Sequence, residues 1–380
     1  MIEVTILMPN LNEAETIGTC IGKAKSFLEN SGVSGEIVVA DNGSTDGSQD
    51  IARENGARVI LVPSKGYGEA LIAGINASRG QFVIMGDADE SYDFSNLMPF
   101  IVELRKGSEL VIGNRFKGGI SKNAMPPLHR YLGNPVLSLI GRVFYRTSVG
   151  DFHCGLRGFS RTAILGLKLN SPGMEFASEM ILKASLMGLN ITEVPTTLRP
   201  DGRTRPPHLR SWRDGWRHLK ILLSFAPHWL FLYPGVALCA LGVLVFLALI
   251  GGALTIAGVR FDIAALMLAS ALLLTGAQMV IFFGLARLYA IKHRNVPTAP
   301  GFERMRRLIS VNGASMAGGI FVALGIISAV SSTLYWYWNG FGDLEPGVIA
   351  RLASLAVVGS SLGIQMITGG FLWGIINEEL

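Results

Sequence analysis

Four long apolar stretches, near residues 229–257, 263–290, 313–338 and 348–376, constrain this chain more than any other feature. Each reaches the roughly 20 residues that a helix needs to cross a bilayer. With 49% hydrophobic and only 16% charged residues over 380 positions, the chain is too oily for an ordinary soluble protein. The excess is not even: before about residue 225, apolar residues alternate with charged ones. The expected organisation is a domain over 1–208, an amphipathic interfacial helix over 209–228, and a membrane domain of four helices over 229–380.

The first 113 residues alternate short β-branched runs with helical patterns. EVTILM precedes a helix from about Glu13, EIVVA one from Thr45, RVILV one from Tyr67 and QFVIMG one from Asn96, and ELVIG closes the series. That rhythm predicts an α/β domain with a largely parallel sheet. Such sheets bind ligands beyond the carboxyl ends of their strands, where the polar turns Pro9 to Glu13, Asp41 to Asp46, Lys65 to Gly68 and Asp87 to Ser91 all fall. Residues 114–208 are less regular, with a Pro-rich loop (NAMPPLHR), a Gly-rich turn (DFHCGLRGF), a helix around Glu175 to Met187 and a basic segment, RPDGRTRPPHLR.

Charge orients the chain. The opening MIEVTILMPN is too short an apolar stretch for a signal peptide and runs into a Pro-Asn turn. Arg203, Arg205, Arg210, Arg213, Arg217 and Lys220 precede the first span, and Lys292, Arg294, Arg304, Arg306 and Arg307 lie between the second and third. The other two loops carry little positive charge, which predicts cytoplasmic termini and a cytoplasmic first domain. Cys20, Cys154 and Cys239 suit that reducing compartment, since their spacing suggests neither a disulfide framework nor a zinc site. RSWRDGWRHLKILLSF mixes cations and tryptophans with a Leu/Ile cluster, the pattern of a helix lying at headgroup depth; a solvated linker helix is the plainer alternative.

Chemistry concentrates at Gly86-Asp87-Ala88-Asp89, directly after an apolar strand. Two carboxylates one residue apart suit an oxygen-loving divalent cation that also bridges a diphosphate. An acidic pair at a strand end is equally a solvated turn, so the neighbouring loops decide. Pro9, Asn12 and Glu13 follow the first strand and Asp41 follows the second, where base and ribose can be hydrogen-bonded; a helix cap and a turn explain the same residues structurally. Lys65-Gly66-Tyr67-Gly68 adds a cation and close backbone approach for phosphate or ribose, or simply a capping turn.

PNLNEAETI, VVADNGSTDGS, KGYGEALIAGINASRG, DAD, GNRF, DFHCGLRGF and an EVP segment followed by GRTR occur in the order seen in family 2 glycosyltransferases. Over roughly the first 225 residues the chain most resembles polyprenyl-phosphate glycosyltransferases of the dolichyl-phosphate mannose or glucose synthase type. The resemblance implies a GT-A fold and inverting transfer of one sugar from a nucleotide sugar to a polyprenyl phosphate. It places the nucleotide sugar on Pro9, Asn12, Glu13, Asp41, Lys65 and Asp87, and a Mg²⁺ or Mn²⁺ ion on Asp87, Asp89 and Ser91. Ser91 stands where relatives often carry Gln.

Asp89, Arg115, Asp151 and Arg157 form the expected catalytic set, with an internal ion pair as the alternative for Asp151 and Arg157. Arg115, Arg203 and Arg205 are expected to hold the acceptor phosphate. The resemblance adds Arg130, although the Arg-and-Ser pattern of relatives is not cleanly matched there. His153 is expected to be structural. The expected partners are a nucleotide sugar, a polyprenyl phosphate and the membrane, with no nucleic acid and with self-association left open. Two other readings are a processive polysaccharide synthase, whose Gln-x-x-Arg-Trp motif the sequence lacks, and a non-catalytic membrane scaffold with a glycosyltransferase fold.

Overall fold

The structure, a computed structural model, describes residues 2–204, 211–294, 296–298, 300–342 and 345–378. It divides into two compact units, Met1–Phe225 and Ala226–Leu380.

The first unit is built on a seven-stranded sheet. Its strands are β1 (Val4–Asn10), β2 (Gly35–Asp41), β3 (Arg58–Leu61), β4 (Phe82–Met85), β5 (Leu110–Asn114), β6 (Arg157–Ser160) and β7 (Ile191–Pro195), in the order β3-β2-β1-β4-β6-β5-β7. Pairings among β1, β2, β3 and β4 are parallel, as is β5 with β7, whereas β6 runs antiparallel to both neighbours. Burial on both faces explains the continuous apolar runs: Ile6, Leu7, Met8, Val38, Val39, Val83 and Ile84 are all fully buried. The carboxyl ends of β1, β2, β4 and β5 therefore share one edge, as an α/β sheet of GT-A type requires.

Helices start later than the sequence pattern suggests because polar caps hold the preceding turns. The first runs Ile17–Ser31, not from Glu13, and the second begins at Ser48, not Thr45. Asp46 accepts the backbone N–H of Ser48 at 3.0 Å through one oxygen and that of Ala14 at 2.9 Å through the other, which fixes both turns at once. The third helix, Tyr67–Ala77, begins as expected and approaches β1 closely at Gly74, where a Cβ would lie 2.3 Å from Leu7. The reversed strand β6 lies within the segment expected to be a turn. Four residues beginning with a buried Arg157 give no alternation to read.

In the second unit four helices are long and apolar enough to cross a membrane: His228–Ile250, Ile263–His293, Val311–Trp338 and Pro346–Asn377. The first ends at Ile250, not at 257. Gly251 and Gly252 break it, and Leu254–Ile256 then pairs with Val259–Phe261 in a hairpin turned by Ala257 and Gly258, both at positive φ. A short helix, Pro300–Leu308, carries Arg304, Arg306 and Arg307 between the second and third spans. Glycines set the helix spacing. A Cβ on Gly242 would lie 2.6 Å from the backbone nitrogen of Leu273, and one on Gly363 would lie 2.4 Å from the carbonyl of Gly318.

Candidate active site

Beyond the carboxyl edge of the sheet lies a cleft of about 590 Å³, within the usual range for small-molecule sites of about 300–1,000 Å³. Pro9, Asn10, Leu11 and Glu13 line it after β1, Asn42 after β2, and Asp87, Ala88 and Asp89 after β4. Lys65, Gly66 and Tyr67 form another wall, with Met174, Arg203 and the helix residues Arg213, Asp214 and Arg217 completing it.

The two carboxylates at the end of β4 have different surroundings. The Tyr67 hydroxyl donates to Asp87 Oδ1 at 2.9 Å. The other oxygen faces Gly155, where a Cβ would stand 2.3 Å away, so only glycine leaves room for this carboxylate. Asp89 Oδ1 accepts the Ser91 N–H at 3.1 Å and the Ser91 hydroxyl at 2.5 Å, and its Oδ2 accepts from Arg203. Arg203 also donates to Glu13 Oε1 at 3.0 Å and to Asp201 Oδ2 at 2.9 Å. Burial, reinforced by the neighbouring Asp89 charge, pushes the Asp87 carboxyl up to about 6, against the Tyr67 hydrogen bond and the fields of Arg203 and Arg115.

Hard carboxylate oxygens at the floor of an open cleft fit a small divalent cation whose remaining ligands come from a diphosphate and water. Among the described residues no group of three or more His, Cys, Asp or Glu side chains is arranged to hold a metal alone. The Ser91 hydroxyl, expected as a third oxygen, is turned onto Asp89, and Ser91 does not line the cleft. Arg203, expected at the acceptor phosphate, uses its fixed N–H donors to bridge three carboxylates, Glu13, Asp89 and Asp201.

Two of the expected nucleotide residues, Asp41 and Asn12, bond within the loops and do not line the cleft. Asp41 is fully buried and accepts from Asn10 at 2.8 Å, Gly43 at 2.9 Å, Ser44 at 3.1 Å and Gln49 at 2.7 Å. That set saturates the carboxylate and folds the turn after β2. Asn12, at positive φ, ties the loop after β1 to the same turn by accepting the Thr45 N–H at 2.8 Å. Asn42 joins β2 to the lysine loop, donating to the Ser64 carbonyl at 2.6 Å and accepting the Gly66 N–H at 2.7 Å, while Lys65 donates to the Asn42 carbonyl at 2.8 Å.

The glycines around Tyr67 serve protein, not phosphate. Gly68 N–H donates to the Pro172 carbonyl at 2.9 Å, and a Cβ on Gly66 or Gly68 would lie about 2 Å from the carbonyls of Pro172 and Ser171 respectively. The buried Glu179, paired with Lys183 at 2.7 Å, holds that opposing loop through the N–H groups of Asn170 and Ser171.

Arg115 and Asp151 form a buried bidentate pair, with Nε and Nη2 each 2.7 Å from a carboxylate oxygen. Neither lines the cleft. Arg157, fully buried, does not pair with Asp151 but donates to the carbonyls of Cys154, Ala177 and Phe152 at 2.9, 2.6 and 2.7 Å. Its guanidinium is thus a brace for the DFHCGLRG turn. Arg130 lies over the Tyr131 ring, outside the cleft lining. Arg205 lies outside the described residues. His153 meets His218 edge-on at 4.5 Å; burial lowers both, His218 to about 4, so the pair is neutral and structural.

Sequence reasoning missed Tyr67, Asn42, Asn10 and Met174 as cleft residues, although the first three lie inside recognised motifs. It also missed Arg213, Asp214 and Arg217 as cleft residues, since their helix was read as interfacial or as a linker and not as part of the site. The signal lay in its spacing: Trp212 and Trp216 recur at i,i+4, and so do Arg213 and Arg217.

Residues 5–166 match Glycosyl transferase family 2, and residues 284–377 match the Glycosyltransferase family 2 C-terminal transmembrane region. The chain is 37% identical over 378 residues to the low-salt glycan biosynthesis hexosyltransferase Agl6 of Haloferax volcanii, covering 99% of this chain and 89% of that one. It is 28% identical over 197 residues to a dolichyl-phosphate hexose transferase of the same organism, covering 52% and 83%. Among solved structures, glucosyl-3-phosphoglycerate synthase from Mycobacterium tuberculosis aligns with a TM-score of 0.47 at 24% identity, over 59% of this chain and 80% of that one.

Proposed function

We propose, from the premise that this chain belongs to glycosyltransferase family 2, that it transfers a single hexose from a nucleotide sugar to a polyprenyl phosphate at the cytoplasmic face of the membrane. The observation that carries the reading is the convergence of Asp87, Asp89, Glu13, Lys65 and Arg203 on one cleft beyond the sheet edge. The names of two relatives, a hexosyltransferase and a dolichyl-phosphate hexose transferase, support the sugar class and the lipid acceptor. A UDP-hexose is the favoured donor and GDP-mannose the alternative.

In this reading the nucleotide lies against Pro9, Leu11, Glu13 and Asn42, and its diphosphate against Lys65 and the carboxylate pair. Asp87 and Asp89 would hold Mg²⁺ or Mn²⁺, which when bound offsets the charge that builds on the departing nucleoside diphosphate. Tyr67 orients Asp87, and Ser91 and Arg203 orient Asp89. The acceptor needs no strong base from the protein. A phosphate monoester loses its second proton with a pKa of about 6, so its oxygen is largely anionic at neutral pH. That oxygen forms the new bond to the anomeric carbon from the side opposite the leaving diphosphate, whose C–O bond breaks, and the configuration inverts. The protein contributes position and charge balance.

The helix Ser211–Ser224, with exposed Trp212 and Trp216, lies at the headgroup layer in this reading, and the basic segments before the first span and around Pro300–Leu308 keep the catalytic unit and both termini cytoplasmic. The test is to incubate the full chain with UDP- and GDP-sugars, Mg²⁺ or Mn²⁺, and a polyprenyl phosphate. A lipid bearing one sugar is the expected product. A polymer would identify a processive synthase, and no turnover across a broad donor panel would leave a scaffold.

A further inference from the structure

Of the cations expected to bind the acceptor phosphate, Arg115 is buried in its bidentate pair with Asp151, Arg203 bridges Glu13, Asp89 and Asp201, Arg130 lies outside the cleft lining and Arg205 lies outside the described residues. Two other guanidinium groups border the cleft, both from the last helix of the first unit. Arg213 Nε lies 3.4 Å and Arg217 Nη1 3.9 Å from the same oxygen of Asp214. Two cations thus share one buried carboxylate at long range, and both remain about half exposed at the mouth of the cleft. One turn of helix separates them, so their forks can close on one tetrahedral anion.

The same helix sets the direction from which that anion arrives. Trp212 and Trp216 are exposed beside the arginines, the first by 83% of its surface. A lipid whose chain stays among apolar groups and whose phosphate must reach the carboxylate floor would pass this turn. The donor diphosphate, by contrast, already has Lys65 and, in the proposed reading, the cation that Asp87 and Asp89 would hold.

The geometry points to Arg213 and Arg217 as the clamp for the acceptor's phosphate monoester, with the shared Asp214 carboxylate offsetting the repulsion between the two guanidiniums and keeping them together at the cleft. The inference rests on the proposed transfer to a prenyl phosphate. A charge-assisted Arg–phosphate hydrogen bond typically changes binding by roughly ten- to a hundredfold.

The full-length protein and the Arg213→Gln/Arg217→Gln and Arg213→Lys/Arg217→Lys double variants would be assayed in phosphatidylcholine–phosphatidylglycerol nanodiscs. Acceptors are a long-chain polyprenyl phosphate and, separately, soluble citronellyl phosphate; a thermal shift with the donor's nucleoside diphosphate checks folding. The expected result is an acceptor KM raised at least tenfold by the Gln pair with both acceptors, an unchanged donor KM, and an intermediate acceptor KM for the Lys pair, which keeps charge but loses the fork. A Trp212→Ala/Trp216→Ala variant should weaken only the embedded acceptor. An unchanged acceptor KM overturns the inference while leaving transfer established. So does a raised donor KM, or a loss confined to the embedded lipid, which would make the arginines nucleotide ligands or mere membrane anchors. Failure of the wild-type protein to glycosylate either prenyl phosphate overturns both readings.

Discussion

The two units invert each other's rules for what is buried. The first hides Ile6, Leu7 and Met8 within its sheet and brings Glu13, Asp87 and Asp89 to one edge. The second turns Leu244, Leu247, Met316 and Ile327 outward and buries Gly242, Gly318, Gly325 and Gly363. Water accounts for the first arrangement, since removing apolar surface from it is the dominant favourable term. Lipid accounts for the second: hydrocarbon outside is as apolar as leucine, so helix association depends on close packing of small residues. Most hydroxyls follow the same division, although Ser328 donates to the Leu352 carbonyl and Arg351 pairs with Asp262 across the second unit. Asp41 collects donors from residues up to 31 positions away, whereas Ser270, Thr333, Ser354 and Thr368 donate back to their own helices, four residues earlier. Long-range polar bonding therefore builds the site, and glycine contact builds its anchor.

The hardest way to break that division is to remove chemistry from the first unit without touching the fold of either. Asp89→Ala takes away a carboxylate at the cleft floor, and turnover should fall about a thousandfold, roughly 4 kcal/mol of transition-state stabilisation. The protein should remain folded and membrane-bound, as read by size-exclusion profile and thermal unfolding. Near-normal turnover would remove Asp89 from the metal site.

The converse change belongs in the second unit. Gly363→Leu would drive a side chain into the carbonyl of Gly318 and the backbone nitrogen of Val322, 2.4 and 2.7 Å from the position of its Cβ. Backbone cannot yield as a side-chain tip can, so the third and fourth helices must separate, at a cost of about 1–3 kcal/mol or more. Unfolding in detergent should come at lower temperature. The same change at Gly319, which has nothing within 4 Å, should be neutral and serves as the control. Equal destabilisation at both sites would sink the glycine-contact account.

These two contrasts also separate what was legible in the sequence from what was not. Strands β1 to β5 were legible because each is a continuous apolar run closed by a turn, and the four spans because length and hydropathy alone define them. Strand β6 was not, since its buried residues include an arginine whose partners are carbonyls three, five and twenty positions away. In the cleft, Glu13, Lys65, Asp87 and Asp89 were readable as charges in turns. Whether a polar turn residue faces a ligand or its own loop depends on register between loops: Asp41 is in the right motif yet fully buried, and Asn12 bonds the turn after β2. The Arg213–Arg217 pair was hidden by a stronger signal on the same helix, its tryptophans.

A smaller change couples catalysis to a glycine in the first unit, as Gly363 couples packing to one in the second. A Cβ at Gly155 would reach 2.3 Å from Asp87 Oδ2, the mobile end of a side chain, so the carboxylate and not the backbone should yield. Gly155→Ala is expected to lower kcat/KM about tenfold, since catalytic groups tolerate little displacement, while thermal stability stays near wild type. A stability loss as large as that of Gly363→Leu would mean that the turn itself had been displaced.

The smallest effect is the pH dependence of Asp87. Its carboxyl titrates near 6 in the folded chain and near about 3.9 when unfolded, so between those values the folded state holds the extra proton. Stability from this group is therefore complete below about pH 4 and is lost as pH rises through 6, the reverse of a salt-bridged aspartate. The full shift corresponds to about 3 kcal/mol, and screening in an open cleft reduces it to on the order of 1 kcal/mol. Asp87→Asn should remove that slope, raising stability at neutral pH relative to wild type while abolishing transfer. In the wild-type chain, kcat/KM should fall on the acid side of about 6, and titrating in Mg²⁺ with nucleoside diphosphate at that pH should release a proton. A stability difference between wild type and Asp87→Asn that stays constant from pH 4 to 7 would show that Asp87 is ionised throughout, with Arg203 and Arg115 outweighing both its burial and Asp89.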